Sequence, residues 1–122
     1  MAAIQRFEVG PRMSEASVFN GIVHLAGQVA EDESADISGQ TRQVLASVDR
    51  FLAAAGSDKS RILMTQIYLK NMTDFAAMNV VWEGWVVPGH TPPRATVQAN
   101  LANDKWLIEV VVTAAVATPA AL

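Results

Sequence analysis

One carboxylate interrupts an otherwise apolar segment near the carboxyl end of the chain. The segment covers residues 106–112, and its only charged residue is Glu109. Its β-branched residues predict a strand in which Glu109 shares a face with Leu107 and Val111. A buried charge is costly unless it is paired or used. Glu109 is therefore a candidate for orienting or deprotonating water, and the alternative is an edge-strand carboxylate that faces solvent.

One arginine has an equally distinctive setting. Arg94 follows Pro92 and Pro93, and two prolines stiffen the approach to the strand that begins there. A guanidinium held in one place matches a carboxylate through two parallel hydrogen bonds. Thr96 shares the face of Arg94 and would border the same cleft. The alternative is a strand-end arginine in water or in a surface ion pair.

The chain is too apolar to hide all its hydrophobic residues comfortably as a small monomer. Of its 122 residues 51% are hydrophobic, and its mean hydropathy is +0.21. A chain of this length buries only about two-thirds of its unfolded surface. We therefore expect a single domain, residues 1–122, partly covered by sister subunits in a closed homo-oligomer.

Charge and composition argue against several classes of function. The net charge is −3 and the nine Lys and Arg residues are scattered, so no nucleic-acid groove is expected. The absence of cysteine excludes disulfides and thiolate chemistry, and two distant histidines give no reason to expect a metal site. No signal peptide or membrane-spanning segment is evident, so we expect a cytoplasmic protein without membrane contact.

The first half of the chain predicts a strand, a hairpin and a helix. A strand at residues 4–9 precedes two strands joined by Asn20-Gly21, a pair typical of a two-residue hairpin turn. Apolar residues at helical spacing from 37 to 55 follow Asp36, which can cap the helix, and Gly56 can end it. Gly27 interrupts a strand, which indicates a bulge or a close approach to the backbone.

The second half predicts a strand, a helix and a second hairpin. A strand at residues 61–69 precedes a helix that Thr73 or Asp74 caps. Asn79 lies on the apolar side of that helix, where it can satisfy a loop or meet a ligand. Strands at 94–101 and 106–117 are expected to form a hairpin. The elements together predict an α+β fold, with two helices on one face of a mixed, mostly antiparallel sheet and sister subunits against the other face.

Several segments together resemble the YjgF/RidA family, in the family's order and spacing. The resemblance runs from about Gly10 to Val116, and residues 56–60 and 85–90 are most similar to the YoaB-like branch. The segments that carry it are Gly27-Gln28, Ala54-Ala55-Gly56-Ser57, residues 71–79, Pro93-Arg94-Ala95-Thr96-Val97 and Ile108-Glu109-Val110.

The resemblance implies a chorismate-mutase-like fold (bacillus type) and a homotrimer whose sheets form a central barrel with pockets at the subunit interfaces. It also implies hydrolysis of reactive enamines and imines, which pyridoxal-phosphate enzymes release, to 2-oxo acids and ammonia. The expected activity is that of a 2-iminobutanoate/2-iminopropanoate deaminase. The ligand would be a small 2-imino or 2-oxo acid, with no cofactor and no metal.

The resemblance also implies roles for individual residues. Arg94 would bind the substrate carboxylate, Glu109 would orient water, Gly27 would offer a backbone carbonyl, and Asn79 would support the pocket. Thr96 stands where the family often has a cysteine that acts largely through its backbone.

Arg12 is the second departure from the family, at a position where many members have a pocket tyrosine. It could add a second cation, suited to a dicarboxylate imine, or it could turn outward. Two other functions stay open. One is a non-catalytic module that binds a small carboxylate or a partner. The other is an RNA-cleaving translation inhibitor, against which the acidic net charge argues.

Overall fold

The computed structural model describes residues 3–117, so both ends of the expected domain at 1–122 lie outside the described part. It contains six strands and two α-helices, with short 3-10 helices at Lys59–Arg61 and Met72–Asp74. In chain order they are β1 (Gln5–Phe7), β2 (Ala16–Phe19), β3 (Ile22–Leu25), α1 (Ile37–Ala54), β4 (Ile62–Leu69), α2 (Phe75–Trp85), β5 (Arg94–Gln98) and β6 (Ile108–Ala115).

The strands form one mixed sheet in the order β1-β2-β3-β6-β4-β5. Only β4 and β5 run parallel, and the other neighbours are antiparallel. The helices cover one face, so alternate residues of β6 are buried among the core side chains. Two helices with a mixed, mostly antiparallel sheet are as the sequence predicts. We call the uncovered side the open face.

The first hairpin and the first helix form as their local sequence predicts. Asn20 and Gly21 both have positive φ, 50° and 77°, as the two-residue turn requires. The Asp36 side chain caps α1 by accepting a hydrogen bond from Gly39 N at 2.8 Å. Gly56 follows the helix with φ +80°, a conformation that other residues rarely adopt.

The prediction of a second hairpin, formed by β5 and β6, is wrong. β5 pairs in parallel with β4, and β6 pairs antiparallel with β3 and β4, so β4 separates the two strands that were expected to be neighbours. The parallel pair is possible because α2 supplies the crossover connection. The chain then passes the end of β4, where Ala99 N donates to Leu69 O at 3.0 Å and Lys70 N donates to Leu107 O at 3.0 Å. The turn signal at residues 102–105 belongs to this connection.

The start of the second helix also differs from the expectation. Asp74 stands at the cap position with helical φ and ψ, and no side chain caps α2. The 3-10 helix Met72–Asp74 leads directly into α2, so the backbone is already helical where a capping residue would be extended. None of the helices within residues 3–117 is long and apolar enough to cross a membrane.

Candidate functional site

Glu109 lies in the interior of the sheet, on its open face. Its strand, β6, is flanked by β3 and β4, so the edge-strand alternative does not hold. The residue is half-buried, and its neighbours Ile108 and Val110 point to the helix-covered core. Within residues 3–117 no Lys, Arg or His side chain lies within ion-pair distance of its carboxylate. The carboxylate thus has no counter-charge from residues 3–117 of its own chain.

Gly27 packs directly against the Glu109 carboxylate. Gln28, the next residue, exchanges backbone hydrogen bonds with Val110, at 2.8 Å and 3.1 Å, which fixes this segment beside β6. A Cβ atom at position 27 would lie 2.8 Å from Glu109 Cδ and overlap Oε2. The close approach that the sequence predicts at this glycine is present, and Glu109 is the residue that approaches.

A cleft of about 520 Å³ opens beside Glu109, within the usual size range of small-molecule sites. Its polar lining includes two further carboxylates, Glu15 and Glu31, and the guanidinium of Arg50. Trp106 contributes an aromatic wall. We call it the Glu109 cleft. The sequence gave no reason to group these residues, because they come from four separate parts of the chain.

Tyr68 is a further candidate that sequence reasoning missed. It stands directly opposite Glu109 in the antiparallel β4–β6 pair, and both line a smaller cavity on the open face. Thr65, Ile67 and Leu69 of β4 are buried, so Tyr68 lies on the other face, but its place opposite Glu109 follows from the strand register and not from the sequence of β4.

Arg94 is held by the second helix. It begins the edge strand β5, is half-buried, and donates to Asn79 Oδ1 at 2.6 Å and to Met78 Sδ at 3.8 Å. Its guanidinium carbon lies 5.2 Å from the centre of the Trp82 ring and 5.8 Å from that of Phe75. Within the described chain it has no carboxylate partner, so the surface ion pair is not seen. These contacts leave guanidinium N–H groups for a further acceptor.

Three other residues were expected near the site. Asn79 contacts Arg94 as just described. Thr96 is half-buried, and its register partner Ile67 is a core residue, so Thr96 shares the helix-covered face with Arg94. Arg12 is exposed in the loop before β2, next to Met13, which lines the Glu109 cleft.

Arg94 and Glu109 do not meet within one chain. Arg94 pairs with Thr65 of β4, whereas Glu109 pairs with Tyr68. Because these β4 residues are an odd number of positions apart, their register partners project from opposite faces of the sheet. A site that contains both groups therefore requires a second chain.

The chain matches a known family over almost its whole length. The family described as "Endoribonuclease L-PSP" matches residues 3–116. A "RutC family protein" of Haemophilus ducreyi is 50% identical over 113 residues, which are 93% of this chain and 97% of that protein. The "RutC family protein YoaB" of Escherichia coli is 43% identical over 113 residues, 93% of this chain and 98% of that protein.

The chain belongs to the YjgF/RidA family. A solved member of the YjgF protein family from Neisseria meningitidis has the same fold, with a TM-score of 0.93 at 44% identity over 96% of this chain and 98% of that one. The resemblance inferred from the sequence, including its YoaB-like character, is confirmed.

Among the residues that the structure describes in this YjgF/RidA chain, no three histidine or carboxylate side chains come together in a way that could hold a metal ion.

Proposed function

We propose that this protein hydrolyses 2-imino acids, such as 2-iminobutanoate and 2-iminopropanoate, and their enamine tautomers, to 2-oxo acids and ammonia. The observation that carries the proposal is the Glu109 carboxylate, which is held against the backbone of Gly27 in a cleft and has no ion-pair partner within residues 3–117. Such a group can accept a proton from a water molecule beside a bound substrate.

Arg94 supports the choice of an acid as substrate. Asn79 and Met78 fix the direction of its guanidinium, and the aromatic rings of Phe75 and Trp82 cover part of it. None of these groups neutralises the cation. A substrate carboxylate can therefore form the paired hydrogen bonds that a guanidinium favours.

The reaction needs one bound water and one proton-transfer group. The water oxygen bonds to the carbon of the protonated imine, the C=N electron pair moves to nitrogen, and Glu109 takes a proton from the water. The product of this first step is a carbinolamine with a neutral amino group.

In the second step Glu109 returns the proton to the amine, the C–N bond breaks, and ammonia leaves as the hydroxyl oxygen forms the carbonyl. The hydroxyl proton goes to solvent or ammonia, giving a 2-oxo acid and ammonium. Positioning is the main contribution, because the protonated imine is already electrophilic.

We further propose that the site is completed between the chains of a homotrimer with a chorismate-mutase-like arrangement of sheets around a central barrel. The positions of Arg94 and Glu109 on opposite faces support an interfacial site. The open face supports it as well, because Val111 of β6 and Val97 of β5 lie there with Val97 44% exposed. Apolar side chains on a sheet face that no element of their own chain covers favour contact with a partner chain.

Ribonuclease activity fits this site less well than imine hydrolysis, although the description of the matching family names an endoribonuclease. The net charge is −3, and the Glu109 cleft contains three carboxylates against one guanidinium, so a phosphate backbone would be repelled there.

A binding module without catalysis is the second candidate, and Arg12 favours it. Arg12 is exposed at the position where the family resemblance leads one to expect a pocket tyrosine. A site without that hydroxyl could hold a carboxylate at Arg94 and leave it unchanged.

The decisive experiment measures hydrolysis of 2-iminobutanoate generated in solution. Wild-type protein should accelerate it, and Arg94→Ala should reduce the rate to that of the uncatalysed reaction with the oligomer unchanged by size-exclusion chromatography. Arg61→Ala, which changes an exposed arginine, is the control.

The alternatives give different results in the same experiment. An Arg94→Ala variant as active as wild type refutes the assignment. Wild-type binding of 2-oxobutanoate without turnover of any imine identifies the binding module, and salt-sensitive RNA cleavage that depends on Arg94 identifies a ribonuclease.

A further inference from the structure

A second cleft lies on the helix-covered side of the molecule, between α1 and α2. Its volume is about 450 Å³. Its apolar lining comes from Leu45 and Ala46 of α1 and from Val80, Val81 and Trp85 of α2. We call it the interhelical cleft. The deaminase proposal does not use it, because neither Arg94 nor Glu109 lines it.

A glycine, Gly84, is part of the lining of this cleft. Gly84 lies in the last turn of α2 and lines the cleft, and a Cβ atom there would meet nothing within 4 Å. Its φ is not positive, so it does not serve as a left-handed helix terminator. Glycine is among the least favourable residues in a helix. No contact within the described chain requires it, and the space beside it is available to a ligand.

Two cations border the apolar lining. Lys59 is half-buried, with its ammonium nitrogen 5.3 Å from the centre of the Trp85 ring, and Arg42 is exposed on α1. Within residues 3–117 neither has a carboxylate within ion-pair distance. The contact with the half-buried Trp85 ring does not neutralise the lysine, so its ammonium can also bind an anion.

The groups around Lys59 are fixed in place. Trp85 Nε1 donates to Asp49 Oδ2 at 3.0 Å, which holds the indole ring in place. Asp58 caps the 3-10 helix Lys59–Arg61 by accepting a hydrogen bond from Ser60 N at 2.8 Å and another from the Ser60 hydroxyl. The hydrogen bonds from Ser60 lower the pKa of the Asp58 carboxyl, so the cap stays charged at neutral pH.

We propose that the interhelical cleft binds a small amphiphilic monocarboxylate. The apolar part of the ligand lies against Val81, Gly84 and the Trp85 ring, and its carboxylate is bound by Lys59 and Arg42. The cleft has the size of a small-molecule site, and its lining is apolar except for a few convergent polar groups. Two cations, Lys59 and Arg42, outnumber the one acid of its lining, Asp49, in a chain of net charge −3, which gives the carboxylate a specific place to bind.

The test uses phenylacetate as probe and follows the indole N–H resonance of Trp85 by NMR, assigned with Trp85→Phe. Phenylacetate should shift it saturably, and the uncharged phenylacetamide should shift it far less. Gly84→Leu fills the cleft and should abolish binding, whereas Ala53→Leu adds a similar apolar bulk on an exposed part of α1 outside the cleft and should not.

The charge is tested separately by Lys59→Gln, which should weaken phenylacetate binding roughly ten-fold. Arg61→Gln, which removes an exposed cation outside the cleft, should leave this binding unchanged. The measurement does not involve imine hydrolysis, so failure of the deaminase proposal does not affect the result. A shift that does not saturate, that is equal for the amide, or that persists in a folded Gly84→Leu variant overturns the proposal.

Discussion

At the scale of single residues, the packing of Gly27 against Glu109 is the tightest constraint on the candidate site. The carboxylate occupies the space in which any side chain at position 27 would begin. Gly27 has no positive φ, so its backbone conformation is open to other residues. The need for glycine is therefore steric and specific to the position of one carboxylate.

Gly27→Ala should strongly reduce the proposed deaminase activity without unfolding the protein. The added methyl group displaces the Glu109 carboxylate, and misplacing a catalytic group by about 1 Å costs roughly 100-fold in rate. We expect a fall of about that size in kcat/KM for 2-iminobutanoate, measured beside the circular dichroism spectrum. Gly84→Ala, where nothing lies within 4 Å, is the control. Full activity in Gly27→Ala would show that the position of Glu109 is unimportant.

Asn79 is the residue that determines how freely Arg94 can bind an acid. It offers a neutral amide oxygen at 2.6 Å, which directs the guanidinium without cancelling its charge. Asn79→Asp should instead form an ion pair with Arg94 that competes with the substrate carboxylate. We expect KM to rise roughly ten-fold, with a smaller change in kcat.

The matched control for this substitution is Asn71→Asp, which adds the same charge at an exposed position before α2. Steady-state kinetics of the two variants separate a local effect on Arg94 from a general effect of negative charge. Equal KM values in both variants would contradict the role assigned to Asn79.

Site residues that stand out within their own segment could be predicted from the sequence. Glu109 was visible as the one charge in an apolar segment, and Gly27 as the one interruption of a strand. Glu15, Arg50 and Tyr68 carry no such signal, because their place beside Glu109 depends on strand order and register. Periodicity within one segment cannot supply that information.

At the scale of secondary structure elements, Gln40 joins α1 to the segment that leads into β6. It is fully buried, and its Oε1 accepts from Leu107 N at 2.9 Å while its Nε2 donates to Lys105 O at 3.0 Å. The same amide also donates to the carbonyls of Glu33 and Ala35 before α1. One side chain thus fixes two connections, and with them the start of the strand that carries Glu109.

Gln40→Leu should destabilise the protein by about 3 kcal/mol, because a residue of similar size leaves several buried backbone groups without partners. Gln43→Leu on the same helix is the control. Its side chain bonds only to the Asp32 backbone in an exposed setting, so we expect a loss below about 1 kcal/mol. Urea unfolding of both variants provides the measurement, and equal losses would contradict the role of Gln40.

The β5–β6 hairpin was predicted wrongly because strand pairing here depends on more than the local sequence. The polar turn at residues 102–105 has the composition of a hairpin turn, and its two flanking segments do form strands. Their pairing partners, however, depend on where α2 returns the chain. The Asn20-Gly21 hairpin was predictable because its two φ angles dictate the pairing locally, and residues 102–105 include no such pair.

At the scale of the whole molecule, the two principal charges of the proposed site lie on opposite faces of one sheet. In a closed ring of identical chains, each interface joins one surface of a chain to a different surface of the next. In the proposed trimer, Arg94 of one chain would thereby meet Glu109 of its neighbour, and every chain would contribute to two sites. Whether catalysis uses two chains is open to a direct test.

Inactive variants should restore one another when they are mixed. Arg94→Ala and Glu109→Gln are each expected to be inactive, but a mixed trimer contains interfaces with an intact Arg94 on one side and an intact Glu109 on the other. If equal amounts are unfolded together and refolded, random assembly should restore about a quarter of wild-type activity. The double variant carrying both changes, refolded with wild type, provides the reference for random assembly. If the mixture forms normal trimers and stays inactive, no site combines Arg94 of one chain with Glu109 of the next. The two residues lie on opposite faces of the sheet and cannot meet within one chain, so the deaminase proposal would then fail.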